Sequence, residues 1–310
     1  MPARNELKDK IVNLKKGPVS TYSKGDRILT MKFKKSAIEL IKMRTSVRSF
    51  DNSEIKNLDL KKLEDYIEEI NKQTRIKARF TLTVKDDKAD KTAKKLGTYG
   101  IISGANSFIV GILDKDEKDS LEFGYLFEKI ILFATDLGLG TCWLGGTFNK
   151  GNFEKNLNLE KNEFIPIVSP VGIKKENPTI LDSFMRTAAG SNKRKPWNEL
   201  FFEENSTKYL NETMAGLYVT PIEMVRLAPS ASNKQPWRII RDKNNFHFFL
   251  SRTKGYGISP YDLQKNDMGI AKCHFELTAK ELGLKGQWIE IEDIDMKNEW
   301  EYICTWSGEE

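Results

Sequence analysis

Ala228-Pro-Ser-Ala-Ser-Asn-Lys-Gln-Pro-Trp237 sets two prolines around a run of small hydroxyl and amide residues, and Arg238-Ile-Ile-Arg241 follows at once. Proline fixes φ and gives up its amide, while Ser and Asn side chains bond to nearby backbone. The stretch therefore reads as a defined loop that feeds an apolar strand. Its polar residues, Ser230, Ser232, Asn233 and Gln235, offer donors and acceptors to the edge of a flat polar ring. A plainer reading makes them caps of their own turn.

Working outward, Ile222 to Leu227 predicts a helix before the loop. Arg238 to Ile240 and Phe246 to Leu250 predict a hairpin around Asp242-Lys-Asn-Asn245. Met268 to Leu282 then reads as a helix, and Gln287 to Ile291 and Trp300 to Trp306 as strands. Upstream, Ser36 can cap a helix carrying Ala37, Ile38, Leu40 and Ile41, which would deliver Arg44 and Arg48 just past its end. Leu63, Tyr66, Ile67 and Ile70 recur at helical spacing. Phe80, Leu82 and Val84 alternate as in a strand, and Ser107 to Leu113 is a more apolar one. Phe123 to Leu137 predicts a largely buried helix with Glu128 and Lys129 inside it, ended by Gly138 and Gly140. Thr141 to Leu144 is a short strand. Phe164 to Ile173 is another, in which Pro166 and Pro170 argue against a central place throughout. Pro178 to Asn211, with Arg186, Lys193, Arg194 and Lys195, reads as a long excursion of the kind that carries function or wraps a neighbour.

The two halves share a pattern. Gly124 begins a stretch that ends Leu137-Gly-Leu139 and Trp143, and Gly269 begins one that ends Leu282-Gly-Leu284 and Trp288, at one constant offset. We read this as an internal repeat of a helix-turn-strand unit.

Composition sets the outer limits. A chain of 310 residues has ample material for a core. Net charge is only +6, from 50 Lys and Arg against 44 Asp and Glu spread along the chain. That balance suits anionic ligands and does not indicate nucleic acid. Cys142, Cys273 and Cys304 are odd in number and far apart, which argues against a disulfide framework and a zinc site. Two histidines, His247 and His274, argue against a His-based triad. No apolar run approaches a membrane span, and residues 1–30 lack the apolar centre of a signal peptide, so the expected compartment is the cytoplasm. Those thirty residues are polar and Lys-rich, and Met31-Lys-Phe-Lys resembles a natural start.

A second stretch, Arg44-Thr-Ser-Val-Arg-Ser-Phe50, joins the Pro-Ser loop, Leu137-Gly-Leu-Gly-Thr-Cys-Trp-Leu-Gly-Gly146 and Arg194-Lys-Pro196. Together, over roughly residues 31–291, these resemble the FMN-binding signatures of the nitroreductase family, in its duplicated single-chain branch of the Thermotoga type. The resemblance implies an α+β fold, a largely antiparallel sheet flanked by helices, in two related halves that form a pseudo-dimer. The division would be a polar extension at 1–30, a first half at 31–215 and a second at 216–310. Family members are typically homodimers with FMN at each interface. Here the arginine motifs lie in the first half and the Pro-Ser loop in the second, which implies a fused pseudo-dimer with one FMN site and a possible monomer.

By the same resemblance, Arg44 and Arg194 would hold the phosphate, with Thr45 and Ser46 beside them, and Arg48 would face the pyrimidine edge. Pro229, Ser230, Ser232, Asn233 and Gln235 would hold the ring and ribityl chain. Gly145 would bring its backbone amide to flavin N5, and Gly146 would leave room for substrate. The family commonly carries an acid at the Gly145 position, so the glycine leaves substrate preference open. The expected activity is ping-pong: NADH or NADPH reduces FMN, leaves, and a nitroaromatic, quinone or similar flat small-molecule acceptor takes its place. A flavin-binding store or sensor without turnover is the alternative.

Overall fold

The computed structural model describes residues 32–84, 101–154, 157–176, 193–204, 208–257, 260–292, 294 and 299–309. The expected extension at 1–30 and Arg186 lie outside the described residues. Helix α1 (Ala37–Met43) starts where expected, on a capping box: Ser36 Oγ accepts from Glu39 N at 3.0 Å, and Ser36 N donates back to Glu39 Oε2 at 3.3 Å. It stops at Arg44, whose backbone is extended. Helix α2 (Asn57–Gln73) buries Leu63, Tyr66, Ile67 and Ile70. After it come strands β1 (Ala78–Val84) and β2 (Ser107–Asp114), helix α3 (Ser120–Asp136), strand β3 (Gly140–Thr141), the short helix α4 (Lys150–Glu154) and strand β4 (Glu163–Gly172).

The chain then forms α5 (Trp197–Leu200), β5 (Phe201–Glu203), β6 (Lys208–Tyr209), α6 (Glu212–Ala215) and α7 (Val219–Leu227). The Pro-Ser loop follows. Beyond it lie the hairpin of β7 (Trp237–Asp242) and β8 (Asn245–Leu250), helix α8 (Leu263–Glu281), β9 (Gly286–Ile289) and β10 (Glu301–Gly308).

The strands form two sheets, ordered β1-β2-β4-β3 and β6-β5-β7-β8-β10-β9. Every pairing is antiparallel except β5 with β7. Two expectations change here. Strand β4 lies inside its sheet, between β2 and β3, despite its two prolines. Pro166 falls where the β2–β4 register shifts, and Pro170 lies between the points at which β4 pairs with the neighbouring edge, at Val168 and at Val171 and Gly172. The proline positions thus avoid the ladder bonds they would break. Strands β5 and β6, expected with the first half, belong to the second sheet. Leu200, Phe201 and Leu210 enter the second core with Trp237, Phe248 and Trp306. Apolar burial decides this, since Phe201 is fully buried there.

Helices α3 and α8 meet at the seam, and their glycines explain how closely. A Cβ on Gly124 would stand 2.3 Å from Asn266 O, and one on Gly269 would stand 2.0 Å from Leu121 O. The contacts are reciprocal: Leu121 and Asn266 are three residues before Gly124 and Gly269, so each glycine faces the counterpart of its own neighbour. This is the self-complementary pattern of a two-fold contact. The helix ends match as well. Leu137 N donates to Phe133 O and Leu139 N to Ala134 O, and at the same offset Leu282 N donates to Thr278 O and Leu284 N to Ala279 O. Gly138 and Gly283 supply the positive φ, +82° and +71°, that this helix ending requires. No described helix is long and apolar enough to cross a membrane.

Candidate functional site

The site is built where the end of α1 meets the Pro-Ser loop. Past Met43 the chain runs extended beside the first sheet: Val47 N donates to Thr141 O at 2.8 Å, and Ser46 bridges to Thr141. That course turns Arg44 inward, with its side chain 6% exposed, and leaves Thr45 exposed and Ser46 half-buried. Arg44 Nε and Nη1 are buried and make no hydrogen bond among the described residues, and the same holds for Arg48 Nη1. A buried donor without an acceptor costs about 1–3 kcal/mol, more when charged. Such donors mark a place for an anion.

Arg194 arrives on the segment that leads into α5 and β5. Its Nη1 donates to Asn233 Oδ1 at 3.1 Å and its Nη2 to Leu227 O at 3.1 Å, the last residue of α7. Burial, then the like charges of Arg44 and Arg226, lowers its pKa to about 10. Two guanidiniums that repel each other in a buried place are stabilised by a shared anion of charge near −2.

The Pro-Ser loop is held in a strained form. Ser232, Asn233 and Gln235 all have positive φ, between 49° and 53°, a conformation that costs non-glycine residues and persists where surroundings impose it. The restraints are visible. Ser230 Oγ accepts from Gln235 N at 2.9 Å, and Asn233 N donates to Ser230 O at 2.9 Å. Lys195 N donates to Gln235 Oε1 at 2.8 Å, while Gln235 Nε2 and Asn233 Nδ2 both donate to Lys193 O. Tyr256 donates its hydroxyl to Ser232 Oγ at 2.8 Å. The resemblance assigned the amides of Asn233 and Gln235 to the ring and ribityl chain. They also fasten the Lys193–Lys195 segment, and with it Arg194. Ser230 Oγ also caps the turn. Pro229 is half-buried at the loop's start.

The loop is anchored from α8 by Asp267. Its carboxylate, 2% exposed, accepts from Ala231 N at 3.2 and 3.0 Å. Burial raises its pKa well above the usual carboxylate range. The sign follows: the protonated form is favoured in the folded state, so the stabilisation is complete below about pH 4, the unfolded value, and declines as pH rises through the folded value. Asp267→Asn is expected to raise the melting temperature more at pH 8 than at pH 5, which a thermal scan at both values checks.

Gly145 and Gly146 lie on the other side. A Cβ on Gly145 would stand 2.6 Å from Leu263 Cδ2, whereas Gly146 has nothing within 4 Å. The space beside Gly145 is thus filled by a leucine from the second half. Trp143, two residues before, donates its indole N–H to Glu128 Oε2 at 2.8 Å. Glu128 Oε1 lies 2.9 Å from His274 Nε2 and 4.0 Å from Arg44 Nε. Sequence placed Glu128 and His274 on helices and no further. The available signal was an acid in the apolar middle of a helix. Asp267, Tyr256 and Leu263 carried no comparable signal, since their partners are remote in the chain. Cys142, Cys273 and Cys304 are buried and form no disulfide. The described residues contain no cluster of three or more His, Cys, Asp or Glu able to hold a metal ion.

These features define an α+β protein of two sheet-bearing halves, with a buried cationic site where the halves meet. Residues 36–279 match the family described as "Putative TM nitroreductase", and the chain belongs to that family. Among solved structures, a nitroreductase-type protein of Thermotoga maritima aligns at 20% identity over 92% of this chain and 99% of its own, with a TM-score of 0.53. That likeness shows a shared fold. A nitroreductase family protein of Clostridium difficile aligns at 20% identity over 55% of this chain and 96% of its own, with a TM-score of 0.39. A nitroreductase with bound FMN from Bacteroides fragilis aligns at 18% identity over 47% and 92%, with a TM-score of 0.37. No curated protein matches the sequence.

Proposed function

We propose that the chain is an FMN-dependent oxidoreductase with a single flavin site, built from both halves. The observation that carries this reading is the set of buried, unbonded guanidinium nitrogens on Arg44 and Arg48, in the repelling neighbourhood of Arg194. The residues fit the group. Arg44 and Arg194 supply fixed charged donors for a dianionic phosphate, and guanidinium geometry suits two of its oxygens at once. Arg48, further along the same segment, supplies positive charge to the ring. Asn233, Gln235 and Ser230 hold the segments that carry these groups. FMN, when bound, supplies two-electron transfer at N5. Gly145 and Gly146 leave backbone and open space on that side, and Leu263 makes the adjoining wall apolar.

The reductant is a nicotinamide dinucleotide and the oxidant a flat electron-poor acceptor, a nitroaromatic or quinone. Both use the one open face beside Gly146 in turn. The reciprocal glycine contacts of α3 and α8 and the matched helix ends support a duplicated gene product in which one chain does the work of two subunits, and a monomer follows.

The test is the visible spectrum of the protein after incubation with FMN, with flavin released on denaturation and counted per chain. One FMN per chain, reduced anaerobically by NADH or NADPH, is the expected result. Two per chain would refute the single-site arrangement, and no bound flavin would refute the function.

A further inference from the structure

We infer that Glu128 is a positioning residue for the phosphate subsite, acting across the seam through Arg44 and His274; this rests on the flavin reading above. Glu128 is fully buried in the middle of α3, where a carboxylate is costly unless each oxygen is partnered. Both are. Oε2 accepts from the Trp143 indole, and Trp143 lies in the segment that leads to Gly145 and Gly146. Oε1 faces His274 Nε2 at 2.9 Å, with Arg44 Nε beyond hydrogen-bond range at 4.0 Å.

His274 extends the connection. It is fully buried on α8, and its Nδ1 lies 3.0 Å from Met224 O. A carbonyl only accepts, so Nδ1 donates to it, and the ring donates from Nε2 to the Glu128 carboxylate as well only as an imidazolium. Met224 and Leu227 are residues of α7, the helix that delivers the Pro-Ser loop, and Leu227 O is the acceptor of Arg194. One carboxylate thus ties together the segment before Gly145, Arg44, and the helix whose end accepts from Arg194. Its charge also lets Arg44 stay buried near Arg194 with donors still unbonded, aimed for an incoming anion rather than turned to solvent. Fixed donors of this kind bind an anion without first being ordered.

The repeat provides an internal control. At the constant offset, Cys273 stands where Glu128 has its counterpart, and Lys129 stands where His274 has its own. Lys129 Nζ lies 5.3 Å over the Tyr125 ring. Trp288, the counterpart of Trp143, bonds instead to Glu276 at 2.7 Å. The hub exists on one side of the pseudo-dimer, the side with the arginines.

The experiment compares FMN with riboflavin, which lacks the phosphate, by flavin fluorescence on wild type, Glu128→Gln and Trp143→Phe. Glutamine keeps the shape and one acceptor but removes the charge, and phenylalanine removes the indole donor together with part of the ring that packs on Phe127. The expected result is FMN binding weakened about 10-fold or more in Glu128→Gln, as for loss of one charge-assisted contact. Trp143→Phe should show a smaller loss, about 3-fold. Riboflavin affinity should hold within about 2-fold for both. A general packing role would weaken both flavins alike. Equal losses for both, or no loss for FMN, would overturn the positioning role and leave the flavin reading standing. A wild-type protein that binds neither flavin would overturn both.

Discussion

Arg44→Met is expected to weaken FMN binding by about 100-fold or more while raising the melting temperature of the flavin-free protein. The two effects have one cause. Arg44 holds two buried nitrogens without hydrogen bonds, beside a like charge on Arg194. Each charged hydrogen bond to a phosphate oxygen contributes about 1.5–3 kcal/mol, so removing two costs about two decades of affinity or more. In the flavin-free protein the same guanidinium is a burden. Removing one partner of a buried ion pair costs about 3–5 kcal/mol only where the other charge is left uncompensated, whereas each unbonded buried donor of Arg44 costs about 1–3 kcal/mol. Glu128 is not stranded by the change, because His274 and Trp143 remain. Fluorescence titration with FMN and a thermal scan of the apoprotein check the pair. Unchanged FMN affinity would place the phosphate elsewhere. A large fall in apoprotein stability would mean that Arg44 serves the fold rather than a ligand.

The second large effect concerns the seam. Gly269→Ala is expected to lower the free energy of unfolding by about 3 kcal/mol, at the upper end for an overpacked site. Alanine's better helix propensity, worth about 1 kcal/mol, would favour the variant at an exposed position. Here the new methyl meets Leu121 O at 2.0 Å and Tyr125 N at 2.7 Å. Those are backbone atoms of α3, so relief requires the two helices to move apart and opens the halves along the seam. Gly124→Ala meets the backbone of Asn266 and should behave alike. Urea unfolding of either variant decides the point, and a loss below about 1 kcal/mol would show that the helices separate freely.

The local elements were legible because their signals are local. Ser36 with Glu39, the periodic Leu63, Tyr66, Ile67 and Ile70, and Gly138 after an apolar helix each specify structure within a few residues. The repeat was legible for the same reason, since matched Gly, Leu-Gly-Leu and Trp need no knowledge of contacts. Of the site, the motif residues could be named, and the family resemblance implied Arg44 with Arg194 as a pair. The bonds of Asn233 and Gln235 to the Lys193–Lys195 backbone were not legible, because an amide that fastens a distant segment carries no local signal in sequence.

What the sequence determined by itself is the inventory: the helices and most strands, the repeated Gly, Leu-Gly-Leu and Trp pattern, and the charged and amide groups that the resemblance assigns to a flavin. Tertiary structure decided how those parts are shared. It placed β5 and β6 on the second sheet, where Phe201 finds a buried place. It set Leu263 into the space beside Gly145 and joined Glu128 to His274 across 146 residues of chain. Contacts of that range depend on which apolar faces pack together, and a pair of distant residues leaves no local pattern to show that they will meet.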